Sequence, residues 1–216
     1  MTMSSPTKPS TGEFAMFNTT DMDKKDLYQP ETQKREPSTP GILIVTGNKV
    51  EDLEFFYPYY RFIEAGYRVD VATPEGGAFE AKHGLKLKSS MKLKDVKPKD
   101  YALLYLPGGK APEELKKNHD ALALVKFFAK NQMPIAAVCH GPQLLAAADV
   151  ARGRRIAAWP EVQDELVEAG ATYENAEVFC DENFITARWP GDLPAHVKEV
   201  LKCLDACGAA TRGMAA

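Results

Sequence analysis

Cysteine is scarce in this chain, and its four residues, Cys139, Cys180, Cys203 and Cys207, all fall in the C-terminal part. Their spacing offers no paired zinc-ligand motif, so they read as reduced thiols rather than as a metal clip or a disulfide framework. Cys203 and Cys207, four apart on an expected helix, share a face and are read as small apolar residues at or near the core. Long apolar runs are missing too. No stretch of about 18 consecutive apolar residues exists, which excludes a membrane-spanning helix, and the N-terminus lacks the basic start and apolar centre of a secretory signal. A soluble, cytoplasmic protein without membrane partners is expected. The net charge of -3 comes with no long basic run, which argues against a nucleic-acid partner.

What is present is enough apolar material for one sizeable core: 216 residues, 44% of them hydrophobic, near the upper end of a single domain. Residues 1–40 are rich in Ser, Thr, Pro, Lys and Asp and have no sustained apolar period, so a flexible extension is expected there. Its one apolar cluster, E-F-A-M-F at 13–17, is a candidate for docking on the domain or on a neighbouring subunit. From residue 41 the pattern changes. G-I-L-I-V-T (41–46), A-L-L-Y-L (102–106) and P-I-A-A-V (134–138) are uniformly apolar, as central parallel strands covered on both faces must be. Between them, residues 52–66 and 113–130 carry helical apolar spacing, with Pro58 early in its helix or bending it. Residues 76–90 read as a hairpin off the main sheet. After 138 come a helix from the G-P-Q-L-L run, a short strand at 154–159, a helix at 160–170, a strand pair at 176–180 and 183–188, and a closing helix over 192–204. Strand and helix in alternation predict a doubly wound α/β sheet spanning 41–208, followed by a flexible tail at 209–216.

In such a sheet ligands gather at the carboxyl ends of the strands. Three loops fall there: T-G-N-K-V-E-D-L-E (46–54), P-G-G-K-A-P-E (107–113) and C-H-G-P (139–142). Cys139 sits at a strand-to-helix junction where a sharp turn lifts its side chain above the sheet, the logic of a nucleophile elbow with sulfur in place of oxygen. The following helix N-terminus and its amides favour the thiolate. The plain alternative is a buried cysteine that closes a core strand. His140, on the same turn, need not touch the sulfur; it is placed to move a proton on a bound substrate, with its N–H contributing to an oxyanion hole. Gly108 and Gly109 permit close backbone approach opposite the sulfur. Glu51, Asp52 and Glu54 cluster after the first strand. Such carboxylates often just favour a helix N-terminus, but one turned inward beside a thiolate must share a proton or hydrogen bond with it, and position favours Glu51. Glu113 is either a first-turn helix residue or a partner for a histidine. His196, beside Lys198 and Glu199, is read as solvated on a surface helix.

The motifs T-G-N-K-V-E-D-L-E-F-F-Y-P-Y-Y-R, K-H-G, Y-L-P-G-G-K-A-P-E and A-V-C-H-G-P-Q-L-L-A-A-A-D-V, in this order, resemble the ThiJ/PfpI family of the class I glutamine amidotransferase-like superfamily, and the PfpI-type members most. W-P-E-V-Q-D-E-L-V-E-A-G and R-W-P-G-D-L-P extend the likeness. The resemblance implies a flavodoxin-like α/β sandwich that forms homodimers or larger rings. It implies Cys139 as nucleophile, His140 completing the reactive centre, Glu51 hydrogen-bonded to the cysteine, and Glu113 orienting the histidine across a subunit interface. Gly109 and the amide of His140 would form the oxyanion hole. No metal or organic cofactor is implied. Three activities follow as expectations. The first is turnover of small reactive carbonyls, as a glutathione-independent glyoxalase or as a deglycase of glycated thiols and amines. The second is peptide hydrolysis, and the third is a redox-sensing or chaperone role without turnover, with Cys139 oxidised to a sulfinic acid. Amidotransferase activity is not expected, because no histidine and glutamate pair lies far downstream of the cysteine in the arrangement that reaction uses.

Overall fold

A computed structural model describes the backbone of residues 41–213 and the side chains of residues 41–206. The expected extension over 1–40, with its cluster at 13–17, lies outside the described residues, as do 214–216 and the side chain of Cys207.

In chain order the strands are β1 (Gly41–Val45), β2 (Val69–Thr73), β3 (Ala78–Glu80), β4 (Lys86–Lys88), β5 (Met91–Lys92), β6 (Tyr101–Leu106), β7 (Ile135–Val138), β8 (Arg155–Ala157), β9 (Thr172–Glu174), β10 (Val178–Asp181) and β11 (Phe184–Ala187). Seven of them form one sheet in the order β10-β11-β7-β6-β1-β2-β5. All its pairings are parallel except β10 with β11. The helices are α1 (Asp52–Glu64), α2 (Ala111–Leu115), α3 (His119–Lys130), α4 (Gln143–Ala147), α5 (Gln163–Glu168) and α6 (Leu193–Gly213). This is the flavodoxin-like arrangement, a mostly parallel sheet flanked by helices. Every residue of β1, β2, β7 and β11 is buried, which accounts for the uniform apolarity of β1 and β7: a strand covered on both faces has no solvent side to make polar. The segment at 76–90 is indeed a separate antiparallel hairpin, β3 with β4.

α1 and α6 pack on one another, and α6 lies along β11 and β10. Phe55, Tyr59 and Phe62 of α1 are fully buried, and Phe62 meets Tyr105 of β6 edge to face at 5.6 Å. Pro58 is buried in the second turn of α1, where it removes the N–H that would bond the carbonyl of Glu54. α3 lies instead against β6, β7 and α4.

Four expectations are corrected. The helix read over 113–130 is two helices, because Asn118 takes an extended backbone and its side chain caps α3 by accepting from the Ala121 N–H at 2.9 Å. The strand read over 154–159 shortens to β8 and stands outside the main sheet, paired in parallel with β9, which the sequence did not signal. The backbone of 209–213, read as tail, continues α6. His196 is not solvated: it is completely buried, and its Nε2 lies 3.0 Å from the Ile185 carbonyl. The charges of Lys198 and Glu199 mark one face of α6, whereas His196 falls on the face that covers β11.

Candidate active site

β7 ends at Val138, and the next residue, Cys139, has φ = +61°. A side chain other than glycine adopts this left-handed conformation at a cost of order 1–3 kcal/mol, which the surroundings must impose. Here they do so from both sides. The Cys139 N–H donates to the Ala187 carbonyl at 3.1 Å, its own carbonyl accepts from the Trp159 N–H at 3.0 Å, and the Gly141 N–H closes the turn on Val138 at 2.8 Å. The thiol is thereby raised at the carboxyl edge of the sheet, buried to 7% exposure.

The loop after β6 presses against it. A Cβ on Gly108 would come within 2.7 Å of the Cys139 Cβ, Glu54 Oε2 and the His140 nitrogen alike, so only glycine allows this approach. Gly109 has φ = +76° and bridges to Val50, which ties the loops after β1 and β6 together. The N–H groups of Gly109 and His140 both aim at the sulfur and pull its titration down. They are the pair expected to receive an oxyanion. Burial, followed by the negative charge of Glu54, outweighs them and holds the thiol well above its ordinary value. α4, with five residues, adds little macrodipole; the expected help from a helix N-terminus is delivered by these two amides instead.

The carboxylate beside the sulfur is Glu54, not Glu51. Glu54 is completely buried, its Oε2 accepts from the Gly108 N–H at 2.8 Å, and its side chain hydrogen-bonds Cys139. Burial raises its titration to about 7, against the Gly108 bond, which lowers it. Glu51 precedes α1 with an extended backbone and turns its carboxylate to the Lys82 ammonium at 2.6 Å. The physical reason is rotation along the helix. Glu54, Pro58 and Phe62 follow at four-residue spacing on the side of α1 that meets the sheet, while Glu51 lies outside the helix. That spacing was present in the sequence and is the signal that singles out Glu54.

His140 does touch the sulfur: its Nδ1 lies 3.2 Å from Cys139 Sγ. The ring stacks on Trp159 at 6.4 Å and 27°. Burial lowers its titration, so it is neutral around pH 7 and able to take or return a proton. Among the described residues, Glu113 makes no hydrogen bond to His140. Its Oε1 accepts from Gln143 Nε2 at 2.8 Å, the same amide nitrogen serves Glu165 at 2.8 Å, and Lys116 pairs with both carboxylates. Gln143, Lys82 and Trp159 are site neighbours that the sequence reading passed over.

Glu51, Asp52 and His83 bring donor atoms within 4.8 Å of one another. Lys82 holds Glu51 and the His83 ring holds Asp52 at 2.8 Å, so the group is satisfied as an ion-pair cluster. Among the described residues no helix is long and apolar enough to cross a membrane.

The sequence and the fold also resemble those of known proteins. The DJ-1/PfpI family model matches residues 41–203. A protein of Archaeoglobus fulgidus, itself uncharacterised, is 44% identical over 76% of this chain and 97% of its own. A Pyrococcus horikoshii protein named a deglycase is 38% identical over 76% of this chain and 98% of its own. Among solved structures, a two-domain Anabaena variabilis protein with DJ-1/ThiJ/PfpI-like and ferritin-like domains superposes with a TM-score of 0.76 at 28% identity, covering 77% of this chain. The chain spans about half of that protein, 48%.

Proposed function

The chain belongs to the DJ-1/PfpI family, and from that premise we propose that it is a cysteine-dependent enzyme acting on small reactive carbonyls, as a glutathione-independent glyoxalase or a deglycase. The observation that carries the reading is Cys139 itself. The thiol is forced to φ = +61° between two N–H donors and a carboxyl that titrates at about 7. A strained, preorganised thiol with a proton partner poised near neutrality is a reactive centre rather than a packing residue. The deglycase relatives at 37–39% identity support the same substrate class.

In this reaction the Cys139 proton passes to Glu54, and the thiolate attacks the aldehyde carbon. A C–S bond forms, the carbonyl π electrons move to oxygen, and the N–H groups of Gly109 and His140 receive that oxygen. For a 2-oxoaldehyde, a base takes the proton from the hemithioacetal carbon and a proton is returned to the neighbouring carbon, leaving a thioester. Glu54 and His140 are the groups in place to move these protons. Water then cleaves the C–S bond and releases the hydroxy acid and the thiol, with no external oxidant. On the hemiaminal or hemithioacetal that an amine or thiol forms with such an aldehyde, the thiolate forms its C–S bond as the C–N or C–S bond to the leaving group breaks; the protonated Glu54 or His140 gives the departing amine or thiol its proton, and the same enzyme-bound hemithioacetal results. The protein works in the cytoplasm as a homodimer or larger assembly, in which Glu113 of one subunit orients His140 of another.

The test is lactate formation from methylglyoxal without glutathione, comparing the full chain with Cys139→Ala. Turnover lost in the variant, with an unchanged melting temperature, is the expected result. No turnover in either protein, with the thiol shown to be reduced, overturns the carbonyl reading and turns attention to peptide hydrolysis.

A further inference from the structure

Directly behind the Glu54 carboxyl, four polar atoms are buried without a hydrogen-bond partner among the described residues: Glu54 Oε1, Tyr105 Oη, His196 Nδ1 and Thr46 Oγ1. They come from α1, β6, α6 and the end of β1, and they belong to one layer. Tyr105 packs on Phe62 of α1 at 5.6 Å and faces the His196 ring of α6 at 5.9 Å. Ile44 is in register with Tyr105, and Thr46, two residues on, points to the same side of the sheet. Glu54 and Cys139 are the charges that act on the Tyr105 hydroxyl. An orphaned buried polar group costs about 1–3 kcal/mol, so four of them would consume much of a domain's stability of about 5–15 kcal/mol. Groups in this situation pair through an internal water.

The direction of the hydrogen bonds is fixed from the far end. Because His196 Nε2 faces the Ile185 carbonyl, Nε2 carries the proton, and Nδ1 is a bare acceptor. Burial keeps the ring neutral, with titration lowered to about 4. The Tyr105 hydroxyl, kept protonated by burial, therefore gives its proton toward His196 and presents its lone pairs toward Glu54. A carboxyl facing lone pairs is favoured in its protonated form. We propose that Tyr105 and His196, joined through an internal water, are positioning residues that favour the proton on Glu54, and so oppose the burial that keeps it on Cys139 and enlarge the thiolate fraction. This rests on the reading of Cys139 as nucleophile and Glu54 as its proton partner. The remaining charged groups around the cluster are Glu51 and Lys82 beside Glu54, and Asp192 near His196. Lys82 pairs with Glu51 at 2.6 Å, and Arg188 with Asp192 at 2.8 Å.

The step moves one proton and no electrons. The Cys139 S–H bond breaks, a Glu54 O–H bond forms, and the negative charge passes from carboxylate to sulfur. Without the relay the proton returns to sulfur and the charge to Glu54.

The experiment is the pH profile of Cys139 alkylation by iodoacetamide in the full chain, read by peptide mass. It needs no substrate and is independent of carbonyl turnover. Tyr105→Phe removes one hydroxyl, and at pH 7 it should slow alkylation at least tenfold. His196→Phe should do the same, because the freed Tyr105 hydroxyl then turns to donate to the Glu54 carboxylate. His196→Gln, which can both donate to Ile185 and accept from the relay, should restore the rate to within about threefold of the parent. A purely structural role would lower the melting temperature and leave this profile alone. Parental rates in Tyr105→Phe and His196→Phe, with Glu54→Gln slow, overturn the relay while sparing the Cys139–Glu54 pair. Parental rates in all three overturn both. Should Tyr105→Phe fail to fold, the contrast between His196→Phe and His196→Gln decides: equal rates in those two overturn the proposal.

Discussion

Two layers of the molecule meet along β6 and bury opposite kinds of chemistry. The face of the central sheet turned away from α1 and α6 is filled with aliphatic side chains, and Leu43, Leu104 and Ile135 there are wholly inaccessible. The layer between that sheet and the helices α1 and α6 is just as inaccessible, yet it holds Glu54, Tyr105, His196 and Thr46. Equal burial therefore serves unequal ends. The first layer contributes stability at any pH, whereas the second gives stability away to keep a carboxyl titrating near neutrality beside the thiol.

The largest effect on stability should come from the aliphatic layer. Leu104→Ala removes a side chain with no exposed surface from the centre of β6, and a cost of about 2–5 kcal/mol is expected from lost burial and the cavity left behind. The loss should be the same at pH 5 and pH 8, because no titrating group is involved. Chemical denaturation at the two pH values checks it. A loss that depended on pH would show that the two layers are not separable.

Glu54→Gln should act in the opposite direction. Glu54 titrates at about 7 in the folded chain, against 4.5 for an ordinary glutamate. The folded state therefore holds the proton more tightly, and wild-type stability falls as pH rises from 4.5 through 7. That gap corresponds to about 3 kcal/mol. The amide carries no charge to desolvate, so the variant should be more stable than the parent by up to that amount at pH 8 and equal to it below pH 4.5. Its carbonyl turnover should fall by about a hundredfold or more, since the proton partner is gone. A variant that is both less stable at pH 8 and fully active would erase the distinction between the layers.

The same contrast explains what the sequence disclosed. Strands β1, β6 and β7 were legible because burial on both faces demands unbroken apolarity, and the elbow was legible because Cys139 follows such a run and precedes glycine. Glu54 was within reach: it is spaced four residues from Pro58 and eight from Phe62, yet proximity to β1 drew attention to Glu51. His196 was harder to place. A histidine next to lysine and glutamate on a helix looks solvated, and only packing of α6 on β11 reveals that its ring reaches the Ile185 carbonyl. Sequence periodicity reports which side of a helix is covered when that side is apolar; it is silent where the covered residues are polar and paired across elements distant in the chain. β9 was missed for a related reason. Its three residues, an exposed Thr172 and the half-buried Tyr173 and Glu174, pair with β8 outside the main sheet and have neither apolar continuity nor clean alternation.

The smallest effect should come from the break between α2 and α3, away from both layers of the contrast. Asn118 accepts from the Ala121 N–H and starts α3, so Asn118→Ala should cost about 1 kcal/mol, a fall of about 2–4 °C in melting temperature for a domain of this size. α3 reaches the site through β6, β7 and α4, and the elbow after β7 is fixed independently by Ala187 and Trp159. Turnover per folded molecule, and the pH profile of Cys139 alkylation, should therefore match the parent. If either moved while the cap loss stayed near 1 kcal/mol, α3 would have to bear on the elbow's strained geometry, and the reactive centre would extend to the far side of the sheet.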